Sequence, residues 1–264
     1  MKKYQPVLFF LSMLLLASLA CASLSGGEAP PAAVPPVENT SAPVENLPVP
    51  TNTSAPVLEP TNTPKPANTP VPAAQEFFTE EFESEAFFDQ WYYFVFGPGF
   101  ENDENLQIFQ DGDGVTFDLG ALDFYLYYIY DPQTYGDVSL TMVAENQGRN
   151  NNNVSLVCRL DYDNAQWYEF SVESGGLWYL YAYDNGYNTL DSGGANALKQ
   201  GKETNEYSMT CEGNVITMSI NGDELKSYTD RNYNFSDGQV GFNVSSLNVL
   251  PITVNVKSFD IAQP

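Results

Sequence analysis

Four groups of residues in this chain have types and spacings that could do chemistry. Glu169 follows Trp167 by two positions on a central-looking strand, so a period of two puts both on one face; the outer face of the neighbouring run carries Arg159 and Asp161. Phe124–Tyr130 and Leu177–Tyr183 are apolar or aromatic on both sides, although a sandwich strand turns only one side to the core. Their surplus, with Trp167, Trp178, Tyr125 and Tyr127 as candidates, could stack on the apolar faces of sugar rings. Either a second layer of chain or a wet, tyrosine-rich sheet face would account for it equally. Asp111-Gly-Asp113 and Asp161-Tyr-Asp163-Asn164 place hard oxygens at i and i+2, as calcium requires, and the same dipeptides are ordinary turn chemistry. Glu81-Phe-Glu83-Ser-Glu85 alternates three carboxylates, which a solvated edge strand would also do.

What is missing narrows the chemistry further. The chain has no histidine, which excludes Ser-His-Asp and Cys-His nucleophile systems, an imidazole base and His-ligated zinc or haem. Its 34 acidic and 10 basic residues give a net charge of −24, and nucleic acid, whose binding rests on Lys and Arg, is excluded as a partner. Glycoside hydrolysis survives, because it needs only a pair of carboxylates.

The elements that must position these residues read as strands. Runs rich in Val, Ile, Thr, Tyr and Phe fall at 105–110, 115–119, 124–130, 137–144, 153–161, 166–173, 176–183, 207–212, 215–221, 239–245 and 252–261, with no sustained helical period. Ser174-Gly-Gly176, Asn185-Gly186, Glu212-Gly-Asn214 and Asn221-Gly222 supply tight turns between them. Eleven or more short antiparallel strands predict an all-β fold, a two-sheet sandwich or jelly roll spanning 77–264. Cys158 and Cys211 each sit mid-strand on the side of apolar neighbours (Val154, Leu156 and Leu160; Tyr207 and Met209) and are expected to form a disulfide.

The chain ahead of residue 77 has a different composition. Residues 1–20 run from Lys2 and Lys3 through an apolar stretch to Ser18-Leu-Ala20, the layout of a signal peptide. Leu19-Ala20-Cys21 resembles the lipobox of bacterial lipoproteins, with Ser18 where leucine is usual, which implies a lipid on Cys21 and an extracytoplasmic domain anchored to the bacterial cell membrane. Residues 21–76 are rich in Pro, Thr and Asn, carry no periodic apolar face, and are expected to form a disordered tether.

The order Val154-Ser-Leu-Val-Cys-Arg-Leu-Asp161, Asn164-Ala-Gln-Trp-Tyr-Glu-Phe-Ser-Val172, Trp178-Tyr-Leu-Tyr181, Asn205 to Gly222, Gly238-Gln-Val-Gly-Phe242 and Val256-Lys-Ser-Phe-Asp-Ile261 resembles the concanavalin A-like lectin and glucanase superfamily, nearest to laminin G-like modules and the jelly roll of 3-keto-disaccharide hydrolases. Phe78–Trp91 is similar to the opening strand of such modules. The resemblance implies a concanavalin A-like sandwich, carbohydrate as partner and calcium as the one cofactor to consider. Laminarinase-type members carry Glu-x-Asp-x-x-Glu on one strand; this chain has no such motif, and Glu169 alone makes no acid/base pair, so the reading leans away from an enzyme. The leading expectation is a surface lipoprotein whose sandwich binds extracellular polysaccharide or cell-surface glycan. A non-catalytic structural or protein-interaction module is the alternative, and a carboxylate-dependent glycoside hydrolase the third.

Overall fold

A computed structural model describes residues 76–97, 105–110, 112–149 and 152–264. The expected signal peptide, Cys21, the expected tether up to residue 75 and Asp111 lie outside the described residues. Fifteen strands follow one another: β1 (Phe78–Glu80), β2 (Trp91–Phe96), β3 (Leu106–Gln110), β4 (Val115–Leu119), β5 (Tyr125–Tyr135), β6 (Val138–Asn146), β7 (Asn152–Asp161), β8 (Gln166–Glu173), β9 (Leu177–Asp184), β10 (Tyr187–Gly194), β11 (Thr204–Glu212), β12 (Val215–Ile220), β13 (Asp223–Thr229), β14 (Gly238–Ser246) and β15 (Ile252–Ala262). A single 3-10 turn, Glu85–Asp89, separates β1 from β2. Every pairing is antiparallel. One sheet runs β13-β12-β11-β6-β15-β4-β3, with β1 also on β15, and the other runs β10-β9-β8-β7-β14-β5-β2. This is the jelly-roll sandwich expected from the strand spacing.

Each sheet turns alternate residues inward, and the apolar sets meet between them. Trp91 stacks on Tyr128 at 5.3 Å, meets Phe259 edge-on at 5.4 Å, and Phe117 crosses Phe242 at 5.5 Å. All of these rings are buried, and such contacts add to the transfer energy of their area. Cys158 on β7 and Cys211 on β11 are bridged, with S–S 2.03 Å, so the disulfide ties one sheet to the other. At the open side of the sandwich, Lys226 on the edge strand β13 pairs with Asp191 on the edge strand β10 at 3.1 Å.

Turn chemistry sets the register where the sequence expected it. Asn221 and Gly222 both have positive φ, 52° and 81°, in the two-residue loop that pairs Ile220 with Asp223, which is what a type I′ hairpin needs. Elsewhere a bulge redirects the chain. Arg159 has φ 54° and β7 slips register between Cys158 and Asp161. Leu160 consequently leaves the core face shared by Val154, Leu156 and Cys158 and joins the apolar cluster on the opposite face with Trp167, against the expectation of a single apolar side. The alternating carboxylates of 81–85 also fall outside any strand: β1 ends at Glu80, and Phe82, at φ 55°, turns into the core.

Candidate functional site

The outer face of the β10-to-β2 sheet carries the candidate site. Along β8, Trp167, Glu169, Ser171 and Glu173 point to this face. Register places Val157, Ser155 and Asn153 of β7 beside the last three, and then Gly241, Asn243 and Ser245 of β14. Small and polar side chains therefore floor the middle of the sheet. Aromatic residues rise at both sides: Tyr125, Tyr127, Phe94 and Phe96 from β5 and β2, and Tyr179, Tyr181, Tyr183 and Tyr187 from β9 and β10. Gly241 is required in the floor because a Cβ there would stand 2.2 Å from the carbonyl oxygen of Tyr128.

Between these walls lies a cavity of about 260 Å³ lined by Tyr125, Asn153, Glu169, Ser171, Glu173, Tyr181, Tyr187, Ser245 and Leu247. Glu169 is only 3 % exposed at its edge. Its Oε2 accepts from the Tyr127 hydroxyl at 2.6 Å, from Trp167 Nε1 at 3.1 Å and from the Tyr187 hydroxyl at 3.4 Å, and the two tyrosine hydroxyls also touch one another. Burial pushes the Glu169 carboxyl above its ordinary value, and the hydrogen bonds from Tyr127, Trp167 and Tyr187 pull back against it. Burial likewise raises the hydroxyls of Tyr125, Tyr127, Tyr181 and Tyr187, and the negative charge of Glu169 raises all four further. Among the described residues no Lys or Arg lines the cavity. In the floor, Asn243 Nδ2 and Asn153 Oδ1 are buried without a partner, an arrangement that costs stability unless something else meets them.

The structure sorts the sequence-predicted residues into three places. Glu169 and Tyr125 line the cavity. Tyr127 (0 % exposed) and Trp167 (3 %) lie beneath its aromatic side; Phe94 stacks on Tyr127 at 4.8 Å, and Tyr183 covers Trp167 at 3.8 Å. The aromatic surplus is thus partly covered by its own neighbours, and these two rings position Glu169 without presenting a face to ligand. Trp178 corrects the expectation outright. It pairs with Val172 on the inward side of β9 and belongs to the core. Arg159 is also away from the cavity: at the bulge its guanidinium is turned aside to the carbonyls of Gly136 (3.0 Å) and Phe235 (2.8 Å) and to Asp137 at 3.3 Å. It fastens two loops.

The calcium candidates are engaged with protein groups. Asp113 pairs with Lys257 at 2.9 Å, and Asp161 caps its own turn by accepting from the Asn164 amide N–H and side chain at 3.0 and 2.7 Å. Asp163 is exposed in that same turn. Among the described residues no group of three or more Cys, Asp or Glu could hold a metal ion.

Glu173, Ser171, Tyr181 and Tyr187 are among the site residues that sequence reasoning missed, with Asn153, Ser245 and Leu247. Two signals pointed to Ser171, Glu173 and Tyr187. Glu169-x-Ser171-x-Glu173 keeps the strand period, and an Asn185-Gly186 turn after β9 demands a returning strand, which is the one that carries Tyr187.

The fold is a concanavalin A-like jelly roll. No protein-family model matches the sequence and no curated protein is similar enough to count as a relative. Among solved structures, the chain is similar to a protein of unknown function with galectin-like fold from Bacillus subtilis (12 % identity, covering 70 % of this chain and 94 % of that one, TM-score 0.56). It is also similar to a β-glucanase of Bacillus licheniformis (14 %, 72 % and 99 %, 0.53) and to a glycoside hydrolase family 16 endo-glucanase from Bacteroides ovatus (10 %, 70 % and 99 %, 0.51). At these identities the likeness is one of fold.

Proposed function

We propose that this protein is a lipoprotein of the bacterial cell surface that holds extracellular carbohydrate in the cleft on the β10-to-β2 sheet. The observation that carries the reading is the cavity's make-up, tyrosine walls over a floor of Glu, Ser and Asn. Such a site offers ring faces for the apolar sides of sugars and fixed polar groups for their hydroxyls. That two of the similar folds belong to glucan-cleaving enzymes agrees with it. Residues 1–20 then direct export, Cys21 takes the lipid, and 21–76 form the tether that separates the sandwich from the membrane. A several-chain lipid anchors stably because each buried CH₂ contributes about 0.8 kcal/mol.

A glycan array probed with the full-length protein in detergent tests the function. Binding to at least one glycan, weakened about tenfold or more by Tyr181→Ala or Tyr187→Ala and unchanged by Asp223→Asn on the far sheet, is the expected result. No binding, or binding indifferent to both tyrosines, overturns it. Anchoring is tested by metabolic labelling with a fatty acid, which Cys21→Ala should abolish.

A second reading has one observation in its favour. Glu169 and Glu173 face the same cavity from one strand, and two carboxylates flanking a bond suffice for glycoside hydrolysis. Release of reducing ends from a bound polymer, lost in Glu173→Gln, would establish it.

A further inference from the structure

The carbohydrate reading leaves open which sugars the cleft takes, and the charge around it narrows the choice. Among the described residues the cavity is lined by Glu169 and Glu173 and by no Lys or Arg. Of the seven described basic residues, three are committed elsewhere, Arg159 to the loops at Gly136 and Phe235, Lys226 to Asp191, and Lys257 to Asp113 and Glu145, and none of the other four lines the cavity. Residues 77–264 hold 29 acidic and 7 basic side chains, a formal charge of −22, so the field outside the cleft has the same sign as the field inside it. A uronate, sulfated or phosphorylated glycan would be repelled on approach and left unpaired once seated.

Resting on the carbohydrate reading, we infer that the cleft selects amino sugars carrying a free, protonated amine, as in a glucosamine polymer. The aromatic walls at Tyr125, Tyr181 and Tyr187 provide the stacking a sugar ring needs. Asn153 Oδ1, which lines the cavity, is a buried polar atom lacking a partner. It calls for a ligand with hydroxyls or other hydrogen-bonding groups. Glu173, only partly covered at the end of β8, is placed to meet an ammonium by a charge-assisted hydrogen bond.

The test uses the full-length protein in detergent at physiological salt and about pH 6, where an aliphatic amine is charged. Calorimetry compares a glucosamine hexamer, the same hexamer fully N-acetylated, a galacturonate hexamer and an oligolysine hexamer. The expected result is glucosamine bound about tenfold more tightly than its acetylated form, no binding of galacturonate, and weak binding of oligolysine. Glu173→Gln should remove the advantage of the free amine, and Asp223→Asn should keep it. Equal or tighter binding of the acetylated hexamer overturns the inference while leaving the carbohydrate reading standing. Oligolysine bound as tightly as glucosamine, with the same loss in Glu173→Gln, overturns it by showing a site for charge and not for sugar. Binding of none of the three sugars overturns the inference, and the carbohydrate reading is then decided by the glycan array alone.

Discussion

Tyr127 on β5 donates to Glu169 on β8 at 2.6 Å although β7 and β14 lie between their strands. Three strand spacings hold the two backbones about 14 Å apart, so both long side chains must lie across the face of the sheet to meet. Gly241, lacking a side chain between them, leaves room for it. The carboxylate is thus a point at which β5 and β8 are tied together over the strands between them.

Removing that fastening should be costly. Tyr127→Phe leaves a buried carboxylate one donor short and is expected to destabilise the fold by about 1–3 kcal/mol at neutral pH. The loss should shrink under acid conditions that protonate Glu169. Urea unfolding at pH 7 and in mild acid reads both, and an equal loss at the two would show that the hydroxyl does not act through Glu169.

The pH dependence of Glu169 itself has a definite sign. Its folded pKa lies above the unfolded value near 4.5, so its contribution to stability is present below that value and is lost as pH rises through the folded one. Glu169→Gln has no such loss, and its stability relative to the parent should improve from acid to neutral pH. A difference that stays flat across the range would contradict the raised pKa.

Asp230 carries the opposite sign. It is buried, which by itself raises its pKa, but the Tyr168 hydroxyl at 2.6 Å and the backbone N–H groups of Asn232, Tyr233 and Asn234 at 2.7–3.1 Å outweigh this and hold it below the ordinary carboxylate value. Its stabilisation is therefore full above the unfolded pKa and lost as pH falls through the folded one. Asp230→Asn should cost roughly 2 kcal/mol at pH 7, with the gap to the parent closing in acid. Thermal melts against pH distinguish this from a simple loss of packing, which would not close.

Arg159→Met tests whether the guanidinium serves the loops or the ligand. It removes the bonds to Gly136 and Phe235 and should cost about 2–3 kcal/mol, while the affinity for any glycan found on the array stays within twofold of the parent. A selective loss of binding with the melting temperature intact would return Arg159 to the site.

The Cys158–Cys211 bridge joins residues 53 positions apart, and the chain-entropy account puts its stabilisation at about 4 kcal/mol. Replacing both by serine should lower the unfolding free energy by that order. A loss under 1 kcal/mol would mean that the packing of the two sheets already holds β7 and β11 together.

The architecture was legible where burial wrote itself into the pattern. All eleven expected strands are present, because inward Val, Leu, Phe and Tyr alternate with outward polar groups along them, and the cysteine pairing followed from the same alternation. The four strands outside those eleven runs, of which only the opening one was anticipated, through the family resemblance, explain the limits. Asp223–Thr229 and Tyr187–Gly194 are mostly polar edge strands, Phe78–Glu80 is three residues long, and Trp91–Phe96 is aromatic on both sides because it borders the core and the cleft together. Of the cavity lining, Tyr187 was hidden with them. Trp178 and Arg159 were misplaced for separate reasons: surplus aromatics on a strand do not reveal which set faces in, and a one-residue bulge reverses every parity argument beyond it.

The two margins of the cleft-bearing sheet are β10 and β2, and from them come Tyr187 on one side and Phe94 and Phe96 on the other, whereas the Glu, Ser and Asn floor stands on β8, β7 and β14. Outer strands bonded along a single edge accept substitution and altered loops more readily than central ones. Ligand preference in this protein can accordingly be redrawn from the borders inward, by swapping wall residues one hairpin at a time, while the polar bed beneath keeps its shape.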